Sequence, residues 1–313
     1  MPSRRPVSRV IEDFCGALFF HRSGPRPDLT GQLRAEARAL PDLPVITDDV
    51  WLGKREQLRQ LLLSADPSDF LRWEPIRTTM FKRGRGPVAH ELRHLRRRPD
   101  WKTRWRPAIR DWTVGHPRPF HLHVASSPNV IHLAYHLCRF EEATGFEPAT
   151  APFVVEFGGG YGGMCRLLHR LGFAGTYVIF DLPEVAVLQR FVLRHAGIPV
   201  RDGGPDVDGT RPGVVTTSDP AVLRALVHTR AKGPAAFIAT WSLSESPLEL
   251  RRIVLGEVAG FDAFLVGYKE HYEGIDNRRE FAAWRATLLE HAWHEESIPH
   301  LRKAEWYLFG VRR

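Results

Sequence analysis

The feature that most constrains this chain is an apolar run that leads directly into a dense glycine turn. The run covers residues 153–155; Glu156 follows it, and then come Gly158, Gly160 and Gly162. The residues beyond the turn carry apolar side chains at i, i+3, i+4 and i+7, which is the spacing of a helix. Glycine lacks a Cβ and lets a ligand approach the backbone, and a helix N-terminus presents free N–H groups. The stretch therefore predicts a strand, a turn and a helix that bind the adenosine part of a cofactor.

This turn fits two classes of cofactor. Gly158, Gly160 and Gly163 also satisfy G-x-G-x-x-G, the dinucleotide fingerprint. Asp181 lies near the spacing of about 20 residues that is typical of the acid that binds the ribose. An NAD(P)-dependent oxidoreductase is therefore one interpretation, and a tight strand-to-helix turn without a ligand is the purely structural alternative.

From residue 151 onward, apolar runs alternate with helical patterns. The predicted strands are Phe153–Phe157, Thr176–Phe180, Gly213–Thr217, Ala235–Trp241 and Ala263–Tyr268. Runs this continuously apolar are typical of a buried parallel sheet. A helix near Arg278–His291 and two closing strands, Trp293–Ile298 and Trp306–Val311, are predicted after them. We therefore expect a doubly wound α/β sheet with its ligands at the carboxyl ends of the strands.

The first part of the chain reads as helical, with proline-rich breaks. Trp51–Leu63 has an amphipathic pattern, and Ser127 followed by Pro128 predicts the start of a helix that runs to Thr144. We expect a helical N-terminal region at residues 1–125 that covers the substrate site. Residues 126–313 should form the cofactor-binding domain.

The pattern of strands at the C-terminus distinguishes between the two predicted classes of cofactor. A nicotinamide domain normally shows six alternating strands, whereas here about five βα units end in two consecutive strands. That ending resembles class I S-adenosylmethionine (SAM) methyltransferases, and Glu156 fits their E/D-x-G-x-G-x-G motif. The resemblance implies a Rossmann-like sheet that is mostly parallel, with an antiparallel last strand.

Three segments of the sequence make the resemblance more specific. They are residues 154–168, residues 177–183 with the Asp-Leu-Pro element, and residues 237–247. In this order they resemble the sugar O-methyltransferase family of bacterial natural-product pathways. The similarity extends upstream to residues 70–80 and 126–129, so it covers most of residues 70–313. It implies a SAM-dependent enzyme that methylates a hydroxyl of a sugar or a glycosylated small molecule.

The resemblance also assigns residues to the cofactor. The loop beside the methionine and ribose would be Glu156, Gly158, Gly160 and Gly162. Asp181 would accept hydrogen bonds from the ribose hydroxyls, although an Asp there also fits an N-cap of the helix that starts at Pro183. Leu182 would pack on the adenine. Asp219 would reach the adenine edge or cap its own helix.

Methyl transfer to a hydroxyl needs a base near the acceptor oxygen. Ser246 and Glu249 fit a capping box for the next helix, which leaves Trp241, Ser242 and Glu245 to face the pocket. Glu245 is the first candidate base and His271, after the fifth predicted strand, is the second. Further candidates are His121 and His123. Plant-type relatives have a histidine after the fourth strand, and this chain has none there.

Other substrates and metals are less favoured. No adjacent acid pair follows the fourth or the fifth predicted strand, so we predict metal independence.

Residues 240–243 lack the Asp/Asn-Pro-Pro-aromatic motif of nucleic-acid amino methyltransferases. Residues 1–125 nevertheless carry 24 Lys and Arg against 14 Asp and Glu, with the densest cluster at Lys82–Arg106, whereas residues 126–313 carry 20 against 22. A non-catalytic, basic module of the SAM fold that binds RNA therefore stays an alternative.

Bulk features indicate a cytoplasmic protein. No run of ~18 apolar residues is present, and Glu12 and Asp13 interrupt any apolar segment of a signal peptide. Cys15, Cys138 and Cys165 are far apart, which favours reduced thiols. The sequence leaves the acceptor and the oligomeric state open, a homo-oligomer included.

Overall fold

The computed structural model describes residues 28–40, 47, 49–80, 85–112, 114–204, 207–301 and 304–313. Cys15, the acids Glu12 and Asp13, and part of the Lys82–Arg106 cluster lie outside the described residues. The other two cysteines, Cys138 and Cys165, are buried free thiols. In the described parts of the chain, no helix is long and apolar enough to cross a membrane.

The strands form one large sheet and one small hairpin. They are β1 (Phe153–Phe157), β2 (Thr176–Phe180), β3 (Val200–Asp202), β4 (Gly213–Thr217), β5 (Ala235–Thr240), β6 (Ala263–Lys269), β7 (His271–Tyr272), β8 (Ile275–Asp276), β9 (His291–Ser297) and β10 (Glu305–Arg312). The large sheet has the order β3-β4-β2-β1-β5-β6-β10-β9, and β7 pairs with β8. All its pairs are parallel except those of β10, which is antiparallel to β6 and β9. The mostly parallel sheet with an antiparallel last strand is therefore confirmed.

Helices flank the sheet and precede it. They are α1 (Leu29–Arg38), α2 (Asp49–Ser64), α3 (Glu74–Thr79), α4 (Arg85–Arg96), α5 (Arg106–Ala108), α6 (Pro128–Thr144), α7 (Gly163–Arg170), α8 (Pro183–His195), α9 (Pro220–Thr229), α10 (Leu248–Glu257) and α11 (Asn277–Arg285). Short 3₁₀ segments lie at Pro67–Arg72, Pro148–Thr150 and Ser242–Glu245, and a π turn lies at Trp101–Trp105. The helix predicted to reach His291 ends at Arg285, because β9 already begins at His291.

Both faces of the sheet are covered, which explains why its strands are continuously apolar. Along β1, Val154 belongs to one hydrophobic core, whereas Phe153 and Val155 belong to the core on the opposite face. Successive side chains of a strand point to opposite faces, so a sheet buried on both sides needs apolar residues at every position. The same arrangement holds in β2, where Ile179 and Val178 lie in different cores.

The N-terminal helices pack directly on the sheet region. Leu33 of α1 and Leu58 of α2 share a third core with Leu188 and Phe191 of α8. Glu36 of α1 accepts hydrogen bonds from Arg190, at 2.6 Å, and from Arg194 of the same helix. Helices α1 and α2 therefore pack against α8, the helix that follows β2.

This packing predicts the effect of truncating Leu33, which is 1% exposed. Leu33→Ala should lower the free energy of unfolding by about 2–5 kcal/mol, because it leaves a cavity between α1 and α8. The matched control is Gln32→Ala, at the exposed neighbouring position, which should change stability by no more than about 0.5 kcal/mol. Urea denaturation measures both. Equal stability of the two variants would contradict the packing of α1 on α8.

Candidate functional site

A cavity of about 1130 Å³ lies along the carboxyl edge of the sheet. Its wall includes the segments that follow five strands: residues 157–160 after β1, 181–183 after β2, 217–220 after β4, 240–242 after β5, and Lys269 at the end of β6. Ligands of doubly wound sheets bind at this edge. Sites for a single small molecule range over roughly 300–1,000 Å³. The volume of the cavity slightly exceeds this range, so one small ligand would not have to fill it.

The glycine turn is fixed by a close approach between two strand ends. Gly158 has φ +68°, and a Cβ placed there would lie 2.2 Å from the Cβ of Ser242. The hydroxyl of Ser242 donates a hydrogen bond to the carbonyl of Phe157. Gly160 lines the cavity at φ +55°. Gly162, at φ +86°, precedes α7 and is not among the described residues that line the cavity.

Asp181 ties the end of β2 to this turn. Its Oδ2 accepts from the N–H of Gly160 at 3.2 Å and from Nε2 of Gln189 at 2.8 Å, while its Oδ1 accepts from the N–H of Leu182 at 2.8 Å. Leu182, without a side-chain hydrogen bond, is the N-cap of α8, so Asp181 does not cap that helix. A carboxylate has about four lone-pair sites. The three protein donors therefore leave acceptor capacity for a ligand hydroxyl.

Burial strongly perturbs two carboxyl groups of the cavity wall. It raises the pKa of Asp181 to about 7, against the opposing effect of its three hydrogen bonds. Burial also raises the pKa of Glu156 to about 8, although the hydroxyl of Tyr177 donates to its Oε2 at 2.8 Å. Both groups lie in the wall, where a cation or a hydrogen-bond donor would favour their charged forms.

The two residues predicted for the adenine side also line the cavity. Leu182 lies beside Asp181 and packs against the third core. Asp219 accepts from the N–H of Ala221 at 2.8 Å, so it caps α9. That cap was one of its two predicted roles; the contact with adenine stays a prediction.

The segment after β5 brings Trp241, Ser242 and Glu245 to the cavity, as predicted. Trp241 has φ +65°, a backbone conformation that is rare outside glycine. Its indole N–H donates to Oε2 of Glu305 at 3.0 Å, and this bond fixes the ring in the wall. Glu245 forms an ion pair of 2.6 Å with Lys269, which also lines the cavity.

The other predicted bases lie elsewhere. His271 is exposed on the β7–β8 hairpin, with 68% of its side chain accessible, and it is not among the lining residues that the structure describes. His121 and His123 likewise lie outside the cavity wall. The structure therefore brings Glu245 to the cavity, but not these three histidines.

The predicted capping box at Ser246 and Glu249 is wrong. The hydroxyl of Ser246 donates to the carbonyl of Ser242 at 2.8 Å instead. Helix α10 begins after Pro247, which makes no side-chain cap. The 3₁₀ turn at 242–245 places an acceptor within reach of Ser246, and that bond replaces the cap.

The sequence did not single out His132, which lines the cavity from α6. Its Nδ1 lies 2.7 Å from Oε1 of Glu91 on α4, and both side chains are buried. The available signal was the pair His132 and His136, four residues apart on the apolar face of a predicted helix. Glu91 is 41 residues away in sequence, so only tertiary packing brings it to His132.

One group of side chains has metal-ligand spacing within the described residues: His94, Cys138 and Glu142, with ligand atoms within 4.8 Å of one another. It lies outside the cavity wall. Arg98 at 3.2 Å and Arg139 at 2.9 Å already neutralise Glu142. Burial also raises the pKa of Cys138 far above its usual range, so the thiolate that a metal would need is disfavoured.

No family model and no curated protein matches the sequence. Solved structures give distant matches. Magnesium protoporphyrin IX methyltransferase from Synechocystis, with bound SAH, is 11% identical, with 58% of this chain and 83% of that chain covered and a TM-score of 0.37. An O-methyltransferase family protein from Burkholderia thailandensis is 16% identical, with 58% and 57% covered and a TM-score of 0.37.

The N-terminal domain of EvdMO1, solved in the presence of SAH and D-fucose, is 16% identical, with 61% of this chain and 86% of that chain covered and a TM-score of 0.38. Matches at this level are too distant to assign a substrate or a residue.

The buried Glu156 predicts an unusual pH dependence of stability. Its pKa in the folded protein, about 8, lies above its ordinary 4.5. The folded state therefore binds the proton more tightly, and the stability that this provides, complete below pH 4.5, is lost as pH rises to about 8. Glu156→Gln stays neutral and can still accept from Tyr177. At pH 9 it should exceed the wild type in unfolding free energy by on the order of 5 kcal/mol.

Denaturation at pH 5, 7 and 9 measures the difference between the two proteins. The control is Glu249→Gln, an exposed carboxylate near the cavity, which should follow the wild type at every pH. A constant difference between Glu156→Gln and the wild type from pH 5 to pH 9 would contradict the assigned pKa.

Proposed function

We propose that this protein is a SAM-dependent methyltransferase that transfers a methyl group to a hydroxyl of a sugar or a glycosylated small molecule. One observation carries the proposal: the partly buried carboxylate of Asp181 and the glycine turn meet in the wall of a cavity large enough for a cofactor and an acceptor. They do so at the carboxyl edge of a sheet whose last strand is antiparallel.

The residues present fit the cofactor. Asp181 keeps acceptor capacity for the ribose hydroxyls, and Leu182 offers an apolar surface for the adenine. Gly160 presents backbone without a side chain, and a Cβ there would meet only the flexible Met80, at 3.4 Å. Glu156 would bind the amino group of the methionine part of SAM, and the positive charge of that group favours the ionised carboxylate. When bound, SAM supplies an activated methyl group, so alignment and proton removal are left to the protein.

The acceptor side of the cavity is built partly from the N-terminal helices. Trp51 of α2 and residues 78–80 at the end of α3 line it, together with Leu133 of α6. An aromatic ring suits the apolar face of a sugar, and the threonine hydroxyls and the Glu245–Lys269 pair can hydrogen-bond its polar groups. This wall supports the proposal that residues before 125 choose the acceptor, a small molecule rather than a nucleic acid.

Two observations favour this function over the alternatives. A doubly wound nicotinamide domain has the strand order 3-2-1-4-5-6, whereas here antiparallel β10 lies between β6 and β9. Charges in the basic cluster are partly engaged within the protein: Arg104 contacts Glu141 at 2.6 Å and Arg98 contacts Glu142 at 3.2 Å. Such ion pairs reduce the positive field that an RNA-binding face needs.

Asp181→Ala tests the cofactor assignment. The substitution removes a carboxylate acceptor, and hydrogen bonds to charged groups contribute about 1.5–3 kcal/mol. At pH 8, above the pKa of Asp181, the Kd for SAM should rise at least about tenfold in isothermal titration calorimetry. The control is Asp208→Ala, a fully exposed turn carboxylate that should bind SAM like the wild type.

NADH titrated into the wild type under the same conditions should give no binding heat. Unchanged SAM affinity in Asp181→Ala, or tight binding of NADH in place of SAM, would overturn the assignment.

A further inference from the structure

Three buried side chains from distant parts of the chain meet beside the cavity. Oε1 of Glu91 lies 2.7 Å from Nδ1 of His132 and 3.0 Å from Nε2 of His300. Glu91 is 0% exposed and His132 is 4% exposed. Helices α4 and α6 and the turn between β9 and β10 each contribute one of these groups.

The chemistry of the carboxylate decides which nitrogen of His132 carries the proton. Burial alone would raise the pKa of Glu91, but its contacts with Nδ1 of His132 and Nε2 of His300 outweigh it and lower that pKa. Glu91 is therefore ionised and acts only as an acceptor. Nδ1 of His132 must then donate to it. In the neutral ring, Nε2 is left with a free lone pair.

The ring of His132 lies in the cavity wall. It stacks on Trp241, with the ring centroids 5.4 Å apart and the planes at 27°. In the described part of the chain, its Nε2 is buried and has no hydrogen-bond partner. A buried polar atom without a partner is costly, so a hydroxyl that enters the cavity and donates to Nε2 would remove that cost. Because Nδ1 faces Glu91, Nε2 is the nitrogen that can meet a ligand.

Other titratable groups surround this pair. His136 of α6 hydrogen-bonds to the hydroxyl of Tyr307, and His90 of α4 stacks on His300 with centroids 4.6 Å apart. Glu305 of β10 is held by Trp241 at 3.0 Å. Among these groups, Glu91 alone contacts Nδ1 of His132 in the hydrogen bonds of the described residues.

We propose that Glu91 and His132 form a dyad that removes the proton from the acceptor hydroxyl, with His132 as the base and Glu91 as its positioning residue; this role rests on the proposed function. The acceptor oxygen bonds to the methyl carbon while the carbon–sulfur bond breaks and its electron pair returns to sulfur. The hydroxyl proton passes to Nε2. The imidazolium so formed is stabilised by the carboxylate of Glu91 and later loses the proton to water.

His132 replaces Glu245 as the base for two reasons. Nε2 of His132 has no hydrogen-bond partner among the described residues, and histidine is the side chain that most often serves as a general base. Glu245 is also held by the ammonium of Lys269 at 2.6 Å, which competes with a substrate proton for its oxygens. The ion pair instead suits binding of the acceptor's hydroxyls.

The first experiment needs no acceptor. Diethyl pyrocarbonate acylates neutral imidazole, and peptide mass spectrometry locates the label. In the folded wild type, His132 should be labelled despite its burial, because its ring lies in the cavity wall. In Glu91→Gln, the pH midpoint of labelling should move down by about one unit or more, because no carboxylate then stabilises the protonated ring.

Exposed His228 serves as the internal control, and its labelling midpoint should be the same in both proteins. A His132 that is labelled only after unfolding, or a midpoint that Glu91→Gln does not move, would overturn the dyad. A merely structural Glu91 would leave that midpoint in place.

The second experiment uses SAM with the methyl glycosides of glucose, galactose, rhamnose and fucose as probe acceptors. His132→Gln should bind SAM within about twofold of the wild type by calorimetry, while methyl transfer falls at least ~100-fold. His228→Gln should keep wild-type transfer, and thermal melting checks that each variant is folded. Wild-type transfer by His132→Gln would overturn the base role alone. A wild type that does not bind SAM would overturn the proposed function itself.

Discussion

The carboxyl edge of the sheet depends on the contact between Gly158 and Ser242. With φ at +68° and the Cβ of Ser242 only 2.2 Å from where a side chain would begin, no other residue fits at position 158 without displacing a strand end. The bond from Ser242 to the carbonyl of Phe157 closes the same contact. Strands β1 and β5 are neighbours in the centre of the sheet. The contact therefore fixes the relative positions of the two segments, after β1 and after β5, that line the cavity.

The site also contains two carboxyl groups whose ionisation in the folded protein costs free energy. Burial disfavours the charged forms of Glu156 and Asp181, and both lie in the wall of the same cavity. Such groups gain from a ligand that brings hydrogen-bond donors or positive charge. These two groups therefore lower the stability of the fold at high pH, and a ligand that pairs with them should offset that loss.

The sequence predicted the centre of the sheet well and its periphery less well. Strands β1 and β2 match to the residue, because apolar runs bounded by turns leave little freedom at either end. Strand β3 was missed, since it has three residues, and its Arg201 and Asp202 interrupt any apolar pattern. The helix that ends at Arg285 was predicted too long, because a local pattern does not show where the next strand pairs.

The residues of the glycine turn and of the segment after β5 could be predicted from the sequence, whereas the contact between Glu91 and His132 could not. Asp181 and Gly158 belong to a local motif of strand, turn and helix. The contact of Glu91 with His132 joins two helices across 41 residues, and nothing in either helix alone predicts it. His271 is a histidine that directly follows the strand β6, as a base in the pocket could. It lies, however, in the short β7–β8 hairpin, outside the cavity wall.

Strand β10 has a consequence for how the molecule assembles. It is wedged between β6 and β9, and it carries Glu305 and Tyr307, which hold Trp241 and His136 in place. These pairings span from 64 to 171 residues of sequence. Contacts of such long range form slowly, because the entropy of closing the loop precedes the gain. The aromatic wall of the cavity is therefore complete only when β10 lies in the sheet, so the last strand of the chain and the geometry of the site depend on each other.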